Sequence, residues 1–104
     1  MVKHIILWKL KKELSAQEIV QVKAGIKEGL EGLKGTIPGL VHIKVQEVGL
    51  DSSSADIMLD SSFVSEQALK EYGVHPAHVQ VANSKVRPFV ETRSCFDYTV
   101  EEDC

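Results

Sequence analysis

The stretch Val2-Lys3-His4-Ile5-Ile6-Leu7-Trp8-Lys9-Leu10 decides the fold. Its side chains alternate, with His4, Ile6, Trp8 and Leu10 on one face and Lys3, Ile5, Leu7 and Lys9 on the other. A period of two is a strand, and large apolar residues on both faces predict one that is covered on both sides.

A helix follows this strand. Ser15 and Glu18 form a capping box, and Leu14 and Ile19 are placed for a hydrophobic staple. Ala16, Ile19, Val22, Ile26, Leu30 and Leu33 then recur at helical spacing as one apolar stripe. Gly25, Gly29 and Gly32 each weaken such a helix by up to about 1 kcal/mol relative to alanine. They mark either close approach by another element or plain drift. The helix is expected to end near Gly35, with Ile37-Pro38-Gly39 as the turn.

Beyond the turn, residues 40–48 alternate again, Val41, Ile43 and Val45 opposing His42, Lys44 and Gln46. After the turn-rich Asp51-Ser52-Ser53-Ser54, residues 55–61 read as a third strand. Val64, Ser65 and Leu69 repeat the staple-and-cap arrangement and open a short helix ending around Tyr72-Gly73. Pro76 suits the first position of another helix, which should run to about Lys85 and stop before Arg87-Pro88. Residues 92–100 form a last strand, with Phe96, Tyr98 and Val100 on one face and Cys95, Asp97 and Thr99 on the other. Residues 101–104 are an acidic tail expected to be disordered.

This βαββαβ order predicts an α+β, ferredoxin-like domain over residues 1–100: a four-stranded antiparallel sheet with helices on one face. The opposite face needs a cover. Ile5, Leu7, Val41, Ile43 and Val45 are assigned to it, an apolar patch larger than a monomer usually leaves wet. Dimerisation, sheet against sheet, is the simplest remedy.

At 104 residues the chain has room for one core. A hydrophobic share of 43% and a charged share of 26% are those of a soluble globular protein. The net charge of −3 argues against nucleic acid, which wants a dense Lys/Arg surface. No apolar run reaches the roughly 20 residues of a membrane helix, and no secretory leader opens the chain, so a cytoplasmic location is expected. Cys95 and Cys104 match no zinc spacing and make a poor disulfide framework.

Chemistry concentrates in two places. Tyr72-Gly73-Val74-His75-Pro76-Ala77-His78 gathers a phenol and two imidazoles, and His4 lies on the opening strand. Imidazole is the side chain whose ordinary pKa, roughly 6.5, suits acid and base work near neutrality. His78 is a candidate general base oriented by Tyr72; the plainer reading has it bonded to the Tyr72 hydroxyl or a backbone carbonyl. A buried His4 must satisfy its ring nitrogens. His75, before Pro76, is placed to cap a helix, and His42 belongs on the surface. A zinc site of His4, His75 and His78 is the metal alternative, but no Cys or Glu completes a recognised pattern. No metal and no cofactor are expected. No Gly-x-Ser-x-Gly elbow or phosphate loop occurs.

Val2 to Lys9, Ile37-Pro38-Gly39-Leu40, Ala55-Asp56-Ile57, Phe63, Tyr72 to His78, Arg87-Pro88 and Phe96-Asp97-Tyr98 together resemble the stress-responsive A/B barrel (Dabb) family of dimeric α/β barrels, over about residues 2–100. The resemblance implies a homodimer in which two four-stranded sheets close into a barrel. Most members have no assigned activity, and some plant members are heat-stable, stress-induced proteins. One branch contains a polyketide cyclase that forms an aromatic acid without a metal. There a Tyr–His pair and a first-strand histidine line a pocket between sheet and helices, and by motif match they correspond to Tyr72, His78 and His4. The cyclase has another histidine on its third strand where this chain has Ile57, which implies a more apolar pocket. The resemblance thus implies a cavity for a small apolar or aromatic ligand. Its candidate lining is His4, Tyr72, His75, His78, Ile57 and Trp8, with His4, Tyr72 and His78 as catalytic candidates. The alternative is a non-enzymatic stress or assembly protein in which these residues brace the loop and the dimer.

Overall fold

In the computed structural model, which describes residues 1–100, the order is β1 (Val2–Leu10), α1 (Ala16–Glu31), β2 (Leu40–Gln46), β3 (Ile57–Phe63), α2 (Glu66–Val74), α3 (Pro76–Val81) and β4 (Val90–Thr99). The strands form one antiparallel sheet in the order β2-β3-β1-β4. The ferredoxin-like α+β arrangement is therefore present. The acidic tail at 101–104 lies outside the described residues.

The capping box forms as the residues dictate: the Ser15 hydroxyl accepts from the Glu18 N–H at 3.1 Å, and the Glu18 carboxylate accepts from the Ser15 N–H at 2.9 Å. Val22, Ile26, Leu30 and Leu33 are buried against the sheet, with Ile19 partly so, while Ala16 is exposed. The helix stops at Glu31, short of Gly35, and Gly35 itself takes the positive φ of 89° in the following turn. The glycine question resolves position by position. A Cβ at Gly29 would lie 2.8 Å from Val81 Cγ1, so α3 approaches α1 closely there; at Gly25 the nearest atom, on Lys85, is an ordinary 3.7 Å away.

Side chains of α1 also cover the outer edge of β2. Lys27 Nζ donates to the Val45 carbonyl at 3.0 Å, and the Glu31 carboxylate accepts from the Val45 N–H at 2.8 Å. An unpaired strand edge is a template for unwanted pairing, and these contacts occupy it.

One face assignment is corrected. The register of β2 against β3 runs Leu40↔Phe63, His42↔Ser62, Ile43↔Ser61 and Val45↔Leu59, with an irregularity at Val41. The extra residue lets Leu40, Ile43 and Val45 all face the helices, so Ile43 and Val45 belong to the core and not to the open face. That face instead carries Ile5 and Leu7 with Met58, Phe96 and Tyr98. Leu7, Phe96 and Tyr98 are 40%, 68% and 44% exposed, so the apolar patch exists but is built mainly from β1 and β4.

The segment after α3 also differs from expectation. A π-helical turn, Ala82–Val86, and a 3₁₀ turn, Arg87–Phe89, carry the chain past Arg87-Pro88. Pro88 falls in the first turn of the 3₁₀ piece, where its missing N–H costs nothing. The third and fourth strands begin two residues later and two residues earlier than periodicity suggests, at Ile57 and Val90. None of the helices among the described residues is long and apolar enough to cross a membrane.

Candidate functional site

His4 is held from two sides. It pairs across strands with Ser61 on β3 and Asp97 on β4. The Ser61 hydroxyl donates to the His4 carbonyl at 2.8 Å. On the ring, Nδ1 lies 2.5 Å from Asp97 Oδ1. A carboxylate accepts, so Nδ1 carries the proton and donates to it; in the neutral ring Nε2 then holds the lone pair. Nε2 makes no hydrogen bond among the described residues.

Above His4 sits α2. Ala68 and Tyr72, four residues apart, are its buried positions. The phenol ring of Tyr72 packs 4.9 Å from Phe63 and meets His4 edge-on at 6.0 Å between centroids. The chain then breaks at His75, which is extended (φ −65°, ψ 132°) as a residue before proline must be. His75 Nδ1 accepts from the Ala77 N–H at 3.1 Å and so caps α3. This break lays His78 alongside Tyr72, ring centroids 4.1 Å apart and inclined by 38°.

The Tyr–His pair therefore meets through ring faces. No hydrogen bond joins the two: the Tyr72 hydroxyl and His78 Nδ1 are both buried without a partner among the described residues. Burial pushes the Tyr72 phenol well above its ordinary range, with nearby Arg93 acting in the opposite sense. Burial also holds His78 below the usual imidazole value, opposed by the backbone of Gly73 and reinforced by His4, Arg87 and Arg93. At neutral pH Tyr72 is a neutral hydroxyl and His78 a neutral imidazole. An unsatisfied buried polar atom typically costs about 1–3 kcal/mol, so two side by side mark a place built to meet polar atoms from elsewhere.

These residues border a cavity of about 580 Å³ between the sheet and the helices. His4, Trp8, Tyr72 and His78 line it, with Ile6, Leu59 and Leu30 as apolar wall. His75 and Ile57, both expected on the lining, are not part of it. His75 is turned to its capping bond, and Ile57 is 2% exposed in the core and borders a separate surface depression. His42 is exposed, as expected. At the mouth stand Lys70, Arg87, Glu91 and Arg93.

Asp97 and the mouth cations are the residues that sequence reasoning missed. Alternation already put Cys95 and Asp97 on one face of the last strand. What it lacked was the pairing of that strand with β1, which sets Asp97 opposite His4.

For a metal, the donor set among the described residues is His4 Nδ1, Cys95 Sγ and the Asp97 carboxylate, all within 4.8 Å of one another. The mixed nitrogen, sulfur and oxygen donors suit zinc. Against it, Nδ1 is already engaged by Asp97, and burial together with Asp97 raises the Cys95 thiol and keeps it protonated. The three-histidine set is not assembled, because His75 faces its cap.

Sheet order, helices on one face and a side-chain-lined cavity beneath α2 and α3 define a ferredoxin-like α+β domain. The chain belongs to the stress-responsive A/B barrel domain family, whose model matches residues 2–100. A dimeric protein of unknown function and ferredoxin-like fold from Bacteroides fragilis is 31% identical, with a TM-score of 0.89 over 95% of each chain. A Dabb-family protein from Mesorhizobium loti shares the fold at 20% identity and a TM-score of 0.73 over 97% of each chain. The hydroxynitrile lyase of Passiflora edulis shares it at 21% identity and a TM-score of 0.70, over 99% of this chain and 95% of that one. No curated protein matches the chain in sequence.

Proposed function

We propose that the chain is a homodimeric ligand-binding protein, working in the cytoplasm, whose cavity takes a small, largely apolar or aromatic molecule and can move a proton on it. One observation carries this reading. The buried Tyr72 hydroxyl and His78 Nδ1 have no hydrogen-bond partner among the described residues and stand beside the Asp97-supported His4, all on one cavity of about 580 Å³. That volume lies within the range of small-molecule sites.

The geometry favours His4 over His78 as the base. In the neutral ring Nε2 of His4 holds the lone pair, and Asp97 supports the imidazolium formed when it takes a proton from an acidic C–H or O–H. Burial and nearby arginines disfavour a charged His78. Tyr72, a buried neutral donor, is suited to stabilise an oxygen that gains charge. A cofactor-free cyclisation of the polyketide-cyclase kind is one reaction these roles allow. The fold hosts enzymes, the Passiflora edulis lyase among them, but a fold does not assign a reaction.

The exposed Leu7, Phe96 and Tyr98 and the dimeric Bacteroides fragilis relative support the homodimer. The cytoplasmic placement is supported by Cys95, which has no disulfide partner among the described residues.

The test is a two-dimensional NMR titration with small aromatic and aliphatic carboxylic acids. Saturable shifts on His4, Tyr72 and His78, lost in His4→Ala, are expected; scattered surface shifts alone would sink the ligand reading. Sedimentation at micromolar concentration should show a dimer that Phe96→Asp converts to monomer. A wild-type monomer would refute the homodimer.

A further inference from the structure

The chain as a whole carries more acid than base, 15 Asp and Glu against 12 Lys and Arg. The mouth of the cavity reverses that balance, with Lys70, Arg87 and Arg93 against Glu91 alone. None of the three cations is ion-paired with a carboxylate among the described residues. Arg87 instead donates to the Asn83 side-chain oxygen. Two of the cations reach inward electrostatically: Arg93 acts on both Tyr72 and His78, and Arg87 acts on His78.

The sheet register sets the geometry. Arg93 pairs with Trp8 and Asp97 pairs with His4, so both stand on the cavity face of β4, four positions apart. Their backbones stand about 13 Å apart, at about 3.3 Å per strand residue, but the Arg93 side chain reaches toward Cys95, whose Sγ is 3.3 Å from Asp97 Oδ1. Ile6, Trp8 and Leu59 supply apolar wall. The cavity thus brings exposed cations, an apolar wall and neutral hydrogen-bonding groups to one space.

We infer that the ligand is an organic carboxylate, bound with its carboxylate at Arg93 and Arg87, its apolar body along Trp8 and Ile6, and a polar group at Tyr72 and His78. The inference rests on the ligand-binding reading above and adds the ligand's charge. Arginine suits the task because its planar fork presents paired N–H donors to a carboxylate. A neutral amide of the same shape can accept one such N–H but lacks the charge and the second acceptor oxygen of a carboxylate.

A matched pair of probes tests this: 4-phenylbutyrate and 4-phenylbutanamide, titrated into the full chain by calorimetry and NMR. The acid is expected to bind at least about tenfold more tightly than the amide. In Arg93→Gln the acid should lose that margin while the amide binds as before, and Arg93→Lys should retain part of it. Equal binding of acid and amide to the wild type would overturn the charge assignment and leave the cavity reading intact. Binding of neither would overturn both. Inorganic phosphate should not displace the acid at equal concentration; displacement would overturn the carboxylate in favour of a phosphorylated ligand.

Discussion

His4 and Asp97 lie 93 residues apart in sequence and directly opposite each other on β1 and β4, with Nδ1 of the ring 2.5 Å from the carboxylate. The bond orients the ring and chooses its tautomer. It sends Nε2, the nitrogen with the lone pair, to the unbonded side.

The tautomer can be read directly. Nitrogen-15 spectra of the imidazoles should show neutral His4 as the Nδ1–H form. In Asp97→Asn the Nε2–H form should appear. The Asp97 side chain is 41% exposed, so its loss should lower stability by only about 1 kcal/mol or less. A wild-type ring already in the Nε2–H form would contradict the proposed role of Asp97.

Tyr72 separates packing from polarity. Its ring is 1% exposed and packs on Phe63 and His78, while its hydroxyl has no partner among the described residues. Tyr72→Phe should therefore leave stability unchanged or raise it by up to about 1 kcal/mol, since it removes an unsatisfied buried group. Tyr72→Ala should cost about 3–5 kcal/mol, the usual loss of a large core ring. Urea denaturation distinguishes the two; a clear loss of stability in Tyr72→Phe would mean that the hydroxyl is satisfied after all.

His78 makes stability depend on pH with a definite sign. Burial, chiefly, holds its folded-state value below the ordinary 6.5, so the unfolded chain binds the proton more readily. Stability attributable to this group is complete above about 6.5 and declines as the pH falls from there toward the folded-state value. The urea midpoint of the wild type should drop between neutrality and about pH 5. His78→Gln should flatten that drop, and an unchanged slope would refute the assignment.

Gly25 and Gly29 should respond oppositely to alanine. Gly25→Ala places its Cβ in ordinary contact and gains helix propensity, a stabilisation of about 1 kcal/mol. Gly29→Ala drives its Cβ into Val81, a branched and stiff side chain, and should destabilise by about 1–3 kcal/mol. Adding Val81→Ala to Gly29→Ala should recover part of the loss. Thermal denaturation of the three variants measures both signs.

Much of the fold was legible because local signals there agree with the tertiary outcome. The capping box at Ser15 and Glu18, the proline at the start of α3 and the alternation of β1 each describe a single element, and each formed. The misassigned face of β2 shows where such reading stops. A period of two groups Val41, Ile43 and Val45, but does not say which side of the sheet meets the helices. One extra residue at Val41 then moved Leu40 onto the face of Ile43 and Val45.

The site divides the same way. Histidines, a tyrosine and their positions in strand and helix are properties of the chain, so His4, Tyr72 and His78 could be named from it. Their mutual geometry depends on contacts between distant elements. Whether Tyr72 meets His78 by hydroxyl or by ring face was decided by the break at His75. Asp97 became the partner of His4 only when β4 docked beside β1. By itself, then, the sequence determined the elements, the family resemblance and the reactive side chains, since these follow from local periodicity and residue type. Only the tertiary structure decided the pairing of His4 with Asp97, the lack of a hydrogen-bond partner among the described residues for the Tyr72 hydroxyl and His78 Nδ1, and the charge of the cavity mouth. Those depend on strand register and helix packing, which are set by long-range burial.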